Sequence, residues 1–117
     1  MAYRKKPRSK PGHKKRGEAD IAQAVVAHVY GVPVDELRAG TRCGARTAFA
    51  RQVAMYIAHI TYGLTLGEIG IAFGRDRSTA SHACHRIEDL RDDPGLDKRL
   101  TRLEDMLRDA ARFGARQ

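Results

Sequence analysis

The stretch that decides the fold runs from residue 65 to residue 90 and reads TLGEIGIAFGRDRSTASHACHRIEDL. Thr65 and Glu68 have the spacing of a capping box, in which the hydroxyl and the carboxylate each satisfy a backbone N–H group at the start of a helix. Gly74 can end that helix at low conformational cost, and Asp76 can cap a second helix two residues later. Two helices joined by so short a turn predict a helix-turn-helix.

The second helix of this pair divides into an apolar and a polar face. Its apolar stripe has helical spacing and consists of Ala80, Ala83, Cys84, Ile87 and Leu90. The opposite face carries Arg77, Ser78, Ser81, His82 and His85. No acid lies between Arg77 and Arg86. Arginine can bond guanine and hydroxyls can serve several bases, so we predict that this face reads double-stranded DNA in the major groove. A helix whose polar face is merely solvated would show the same division. The tight turn before this helix favours the DNA-binding interpretation over that one.

The remaining apolar residues also recur at helical spacing and never alternate with the two-residue period of a half-buried strand. The fold class is therefore expected to be an all-α helical bundle, with helix ends at Gly31 and Gly63. The predicted buried faces are Ile21, Ala24, Val25 and Val29 in a first helix, Leu37 in a short turn of helix, Phe49, Val53, Tyr56, Ile57 and Ile60 in a long helix, and Leu96, Leu100, Leu103, Leu107 and Ala110 in a last helix over residues 96–113.

The net charge of +8 is concentrated at the N-terminus. Residues 1–17 hold eight basic side chains and no acid, so we expect a disordered tail that meets a polyanion, followed by one DNA-binding domain over residues 18–117. A tail attracted to lipid is the alternative, but no lipidation signal accompanies it. Residues 38–86 form a second basic patch, with seven arginines and two acids. The non-specific phosphate contacts are predicted at Arg4, Lys5, Lys6, Arg8, Lys10, Lys14, Lys15 and Arg16.

Other classes of protein fit the sequence poorly. No apolar run approaches the roughly 18 residues needed to cross a bilayer, so we expect a cytoplasmic, nucleoid-associated protein without a membrane partner. Cys84 lies between His82 and His85, but it belongs to the apolar stripe and His82 does not, which disfavours a thiol nucleophile. A zinc site that adds Cys43 has no standard spacing. We expect no enzyme activity, metal or cofactor.

Four motifs then suggest a family. They are ARQVAMY at residues 50–56, LGEIGIAFGRD at 66–76, HAC at 82–84 and IE at 87–88. Together they resemble the C-terminal DNA-binding domain of the bacterial replication initiator DnaA, which has a Trp-repressor-like fold, over roughly residues 19–109. The resemblance implies that a monomer recognises short asymmetric initiator boxes. It also implies major-groove contacts from the second helix and a minor-groove arginine from the loop before the long helix.

The resemblance assigns roles to individual residues. Arg75 and Asp76 match an Arg-Asp pair at the helix entry, Ser78 and Thr79 match two threonines, and Arg77 replaces a histidine. In the loop, Cys43 stands opposite the minor-groove arginine, so Arg42 or Arg46 would supply that contact. One glycine precedes Arg75 where the family commonly has two, and Ala80-Ser81 replaces a larger apolar pair, so the turn and the sequence preference are expected to differ. The implied DNA contacts are Arg42, Arg46, Arg51, Gln52, Arg75, Asp76, Arg77, Ser78, Thr79, His82 and Arg86.

The family's ATP-binding motif G-x-x-x-x-G-K-[ST] does not occur in these 117 residues. We therefore expect a stand-alone DNA binder, a transcriptional regulator or a competitor for initiator boxes, whose basic tail restores affinity. Two alternatives remain. The tail could be a ribosomal or RNA-binding arm, or the chain could be an adaptor that docks on the initiator or on RNA polymerase through residues 96–113.

Overall fold

The computed structural model describes residues 12–38 and 44–115, and within these ranges every regular element is an α-helix. This confirms the all-α class. The helices are α1 (His13–Tyr30), α2 (Val34–Arg38), α3 (Ala45–Tyr62), α4 (Leu66–Phe73), α5 (Arg77–Leu90) and α6 (Pro94–Ala115). None of them is both long enough and apolar enough to cross a bilayer. The predicted helix ends at Gly31, Gly63 and Gly74 are all confirmed.

Helix α3 forms the centre of the molecule. Residues 53–58 are all buried, so this part of α3 is covered on every side, as expected of a helix that other helices surround. It packs against α1, α5 and α6, and also against the short helices α2 and α4. The predicted core positions Val53, Tyr56 and Ile57 are confirmed, whereas Phe49 is half-buried and Ile60 is 44% exposed.

The predicted buried face of α1 is wrong. Ile21, Ala24 and Val29 are exposed and Val25 is half-buried. The residues that α1 buries are Ala19, Ala22, Gln23, Val26 and Ala27. Helix α1 packs on α3, which itself buries three alanines on its surface, and small side chains on both helices let the backbones approach closely. Of the larger apolar side chains of α1, Val26 is buried, whereas Ile21 and Val29 are exposed to solvent.

Helix α6 packs on α1 and α3, and its predicted apolar stripe is confirmed as a packing face. Leu100, Leu103 and Leu107 are buried. The Tyr62 hydroxyl donates to the Leu107 carbonyl oxygen at 2.9 Å and so joins the end of α3 to α6. The stripe therefore belongs to the core, and Leu96 and Ala110 at its ends are half-buried.

The N-terminal boundary lies earlier than expected. The charge pattern places residues 13–17 in the disordered tail, but they form the first turns of α1. The Lys15 ammonium lies 2.8 Å from a Glu68 carboxylate oxygen, which joins this end of α1 to the start of α4. The predictions made for the loop and for the rest of the tail fall outside the described residues. They concern Arg4, Lys5, Lys6, Arg8, Lys10, Arg42 and Cys43.

Candidate nucleic-acid interface

Helices α4 and α5 and the turn between them form the predicted helix-turn-helix, which we call the corner. Its first helix, α4, begins with the predicted capping box. The Glu68 backbone N–H donates to the Thr65 hydroxyl at 3.1 Å, and the Thr65 N–H donates to the Glu68 carboxylate at 2.9 Å. Two backbone donors at the start of α4 are thereby satisfied. The ion pair with Lys15, followed by the bond from Thr65, lowers the pKa of Glu68 and keeps its carboxyl ionised. The start of α4 is fixed by both contacts.

The turn between α4 and α5 depends on two glycines. Gly74 has a φ of 65°, in the left-handed region, and the next N–H, of Arg75, donates to the Gly70 carbonyl at 2.7 Å. A Cβ atom on Gly70 would lie 2.7 Å from the Arg75 carbonyl oxygen and 3.2 Å from the Arg77 nitrogen. Glycine at position 70 therefore allows α5 to start directly against α4.

Gly70 was missed as a determinant of the corner. A glycine in the interior of a short helix costs about 1 kcal/mol relative to alanine. Such a cost is the signal that could have identified it, because a close approach of another backbone is a common reason for glycine there.

Helix α5 presents the predicted polar face to solvent. Arg77, Ser78, Thr79 and His82 are exposed, whereas Ala80, Ala83, Cys84 and Ile87 are buried on the opposite side. The predicted division of the helix is confirmed, except that Leu90 is exposed and Ser81 is half-buried. The first two turns of α5 thus present small and basic side chains to solvent, while α4 packs against α5.

Two further polar residues on and beside this face, Asp76 and His85, differ in what they contact. Asp76 occupies the N-cap position and its carbonyl accepts from Ala80 N–H at 3.2 Å, but its carboxylate makes no cap bond and is exposed. The His85 ring nitrogen lies 2.8 Å from the Ser81 carbonyl oxygen, so His85 is turned back along its own helix. Asp76 therefore faces outward at the entry of α5, while His85 is drawn away from it.

A hydrogen bond brings α3 and α5 together at this surface. The Arg86 guanidinium donates to the Gln52 side-chain oxygen at 2.7 Å and lies 5.8 Å from the centre of the Phe49 ring. Two predicted DNA contacts from different helices are therefore adjacent. Phe49 was predicted as core alone, and its second role as a support for Arg86 has no separate signature in the sequence.

Other predicted contact residues also bond to the protein itself. Arg51 donates from Nε to the Leu37 carbonyl at 2.8 Å and from Nη2 to the Glu36 carbonyl at 2.9 Å, at the end of α2. Arg75 lies 3.3 Å from the Gly74 carbonyl oxygen. Both guanidinium groups are oriented by helix ends. Arg46 is exposed in the first turn of α3.

The basic patch is also partly neutralised. Arg38, which contributed to the count of seven arginines, forms an ion pair with Asp20 at 3.1 Å and bonds Gln23 at 2.5 Å. It faces α1, so the positive charge of the patch lies mostly on α3, α5 and the turn before α5.

The thiol of Cys84 lies on the buried side of α5. Cys84 is 8% exposed, and burial raises the pKa of its thiol to about 11, so the sulfur stays protonated at neutral pH. Across the residues that the structure describes, no three His, Cys, Asp or Glu side chains are grouped as metal ligands.

A capped short helix, a glycine turn and a second helix whose first turns expose an arginine and hydroxyl groups define a helix-turn-helix protein of the DNA-binding class. Within that class, residues 19–87 match the family described as the bacterial dnaA protein helix-turn-helix, and the chain belongs to this family. The resemblance carried by the four sequence motifs is thereby confirmed.

The relatives are replication initiators of greater length. The chromosomal replication initiator protein DnaA of Bartonella quintana is 39% identical over 106 residues, which are 88% of this chain and 21% of that protein. That of Mesorhizobium japonicum is 39% identical over 99 residues, or 83% of this chain and 19% of that protein. The chain therefore spans about a fifth of the length of these relatives.

Solved structures agree in fold. The crystal structure of a DNA replication initiation factor superposes with a TM-score of 0.75 at 30% identity, over 83% of this chain and 30% of that one. A replication initiator DnaA bound to AMPPCP and single-stranded DNA gives a TM-score of 0.72 at 29% identity, over 82% of this chain and 29% of that one.

Proposed function

We propose that this protein binds double-stranded DNA sequence-specifically by placing the first two turns of α5 in the major groove. The observation that carries the proposal is the exposed face of the first two turns of α5, which holds no acid. Arg77 suits a guanine edge, and the hydroxyls of Ser78 and Thr79 suit several bases. His82 lies on the same face, one turn further along.

The surrounding residues supply contacts that position the protein without reading bases. Gln52 and Arg86 form one bonded pair beside α5, and Arg51 and Arg75 are held at helix ends. All four suit phosphate oxygens, which fix orientation on the duplex. Either Arg42, which precedes α3 in the sequence, or Arg46, in the first turn of α3, is proposed to enter the minor groove.

The family relation suggests the kind of site that is bound. A corner shared with replication initiators is expected to prefer initiator-type boxes, and occupancy of such boxes would make the protein a transcriptional regulator or a competitor of the initiator. The arginine at position 77 and the small pair Ala80-Ser81 are expected to alter the preferred box.

Selection from random duplex DNA tests this proposal, using the full chain and a version without residues 1–11. The truncation leaves α1 and its Lys15–Glu68 pair intact. We expect both proteins to enrich the same motif, because α5 reads it, and the shorter protein to bind more weakly. Enrichment of no motif, or equal binding of RNA in competition, would contradict sequence reading by α5.

A further inference from the structure

A groove of about 580 Å³ lies between the end of α1 and one side of α6, away from the corner. We call it the α1–α6 groove. None of the residues that line it belongs to α4 or α5. Its apolar surface comes from Val29, Leu103 and Met106, and its basic side chains are Lys98, Arg99 and Arg102.

The apolar surface of this groove is open to solvent. Val29 is 40% exposed and Met106 is 41% exposed, although both are large apolar side chains on well-packed helices. Val29 and Met106 thus place exposed apolar surface beside the basic side chains of the groove. Methionine adapts its shape to a partner because its side chain is unbranched and flexible.

The charge on α6 is distributed unevenly between its sides. Away from the groove, Glu104 pairs with Arg91 and Arg108, and Asp97 also pairs with Arg91. Beside the groove, neither Lys98 nor Arg102 forms an ion pair with any carboxylate in residues 12–38 and 44–115. The third cation, Arg99, lies 6.0 Å from the centre of the Tyr30 ring. Within the described residues, the charged side chains that line the groove are therefore all cations.

We propose that the α1–α6 groove binds an acidic amphipathic helix of a partner protein. Apolar side chains of that helix would pack on Val29 and Met106, and flanking carboxylates would meet Lys98 and Arg102, which is the usual form of helix-in-groove recognition. A phosphate backbone alone would leave the apolar surface uncovered. A second copy that presents the same groove would bring like charges together. The groove lies outside the corner, so the partner and DNA can be held together.

A random library of helical peptides, selected against the full chain, tests the proposal for any partner of this chemistry. We expect the enriched peptides to carry Leu or Ile at i, i+3, i+4 and i+7 spacing and Asp or Glu beside them. Fluorescence anisotropy of one enriched peptide then measures affinity for groove variants. Met106→Glu and Arg102→Ala should each weaken binding at least about fivefold, and added salt should weaken it further.

Matched controls separate the groove from general effects. Ile60→Glu places the same acid on an equally exposed apolar position of α3, and Arg112→Ala removes a cation from the last turn of α6. Both should leave peptide affinity unchanged. Circular dichroism checks that each variant is folded. If Met106→Glu does not fold, Arg102→Ala alone tests the proposal.

Four results would overturn the proposal. They are a selection that yields no acidic amphipathic peptide, peptide affinity that is insensitive to both groove variants, self-association of the chain that Met106→Glu abolishes, and a loss of duplex DNA affinity in Arg102→Ala as large as the loss of peptide affinity. The third would assign the groove to a second copy and the fourth to nucleic acid.

Discussion

Among the arginines near the corner, Arg77 is the one most directly placed to read a base. It is exposed in the first turn of α5, whereas Arg51, Arg75 and Arg86 each bond to groups of the protein. Arg77→Ala should therefore reduce the discrimination between the selected duplex and other duplexes by about 1–3 kcal/mol. Competition binding at constant salt measures this.

The control for that prediction is Arg112→Ala, which removes an exposed arginine of α6 far along the chain from the corner. It should leave discrimination unchanged. If Arg77→Ala instead weakened every duplex by the same factor, Arg77 would be a phosphate contact and not a reader.

Gly70 is the second residue for which the structure predicts the effect of a substitution, here on the free energy of unfolding. A methyl group there would lie 2.7 Å from the Arg75 carbonyl oxygen, so α4 and the turn would have to separate. Gly70→Ala should lower the free energy of unfolding by about 1–3 kcal/mol, the usual cost of overpacking. Urea denaturation measures it. Gly67→Ala is the matched control, since its Cβ would meet the Thr65 hydroxyl at an ordinary 3.9 Å, and it should be neutral or slightly stabilising.

At the scale of the helices, local signals predicted more than long-range packing did. The ends at Gly63 and Gly74 and the capping box at Thr65 follow from neighbouring residues, and all three are confirmed. The buried face of α1 depends on what packs against it. The hydrophobic pattern predicted that Val29 is buried, whereas Ala19, Ala22 and Ala27 are buried and Val29 is exposed. The bond between Gln52 and Arg86 joins residues 34 positions apart, and spacing alone gives no sign of such a pair.

The junction of α5 and α6 is held by Arg91. Its guanidinium donates to Glu104 at 2.5 Å, to Asp97 at 2.7 Å and to the Tyr56 hydroxyl at 3.1 Å. Burial acts to lower the pKa of Arg91, but these bonds raise it overall, so its charge is permanent. The Tyr56 hydroxyl in turn donates to Glu88 of α5. One side chain thus joins α3, α5 and α6.

Arg91→Ala should cost about 2 kcal/mol of unfolding free energy, because Glu104, which is almost wholly buried, loses a charged donor. Arg108→Ala removes a more exposed partner of the same carboxylate and should cost less than about 1 kcal/mol. Urea denaturation of both variants at pH 7 compares them. Equal losses would mean that the junction does not depend on Arg91.

The contact between α1 and α4 predicts a dependence on pH. Lys15 lowers the pKa of Glu68 in the folded protein, so the pair stabilises the fold above the unfolded carboxyl pKa of about 4.3. This contribution is lost as the pH falls through the lowered pKa of the folded state. In Lys15→Ala, an NMR titration should show the Glu68 pKa rising towards its ordinary value. Lys14→Ala, which removes an exposed neighbouring cation, should leave the pKa in place.

For the whole molecule, the N-terminal cations fall into two groups, those of residues 1–11 and those on α1. Residues 1–11 hold five cations, Arg4, Lys5, Lys6, Arg8 and Lys10, whereas Lys14, Lys15 and Arg16 lie on α1. The sequence predicted one uniform tail of eight phosphate contacts. Lys15 is instead paired with Glu68, so it can release fewer counterions on binding than an unpaired lysine.

Removal of residues 1–11 should therefore change the salt dependence of DNA binding by a definite amount. Each phosphate neutralised contributes about −0.9 to the slope of log K against log salt, so loss of five contacts should reduce the slope by at most about 4.5. Fluorescence titrations of the selected duplex and of a scrambled duplex at several salt concentrations measure it. If residues 1–11 contact phosphates and α5 reads the bases, both duplexes should lose the same slope and the ratio of their affinities should stay constant. A fall in that ratio on truncation would place sequence reading in residues 1–11 and not in α5.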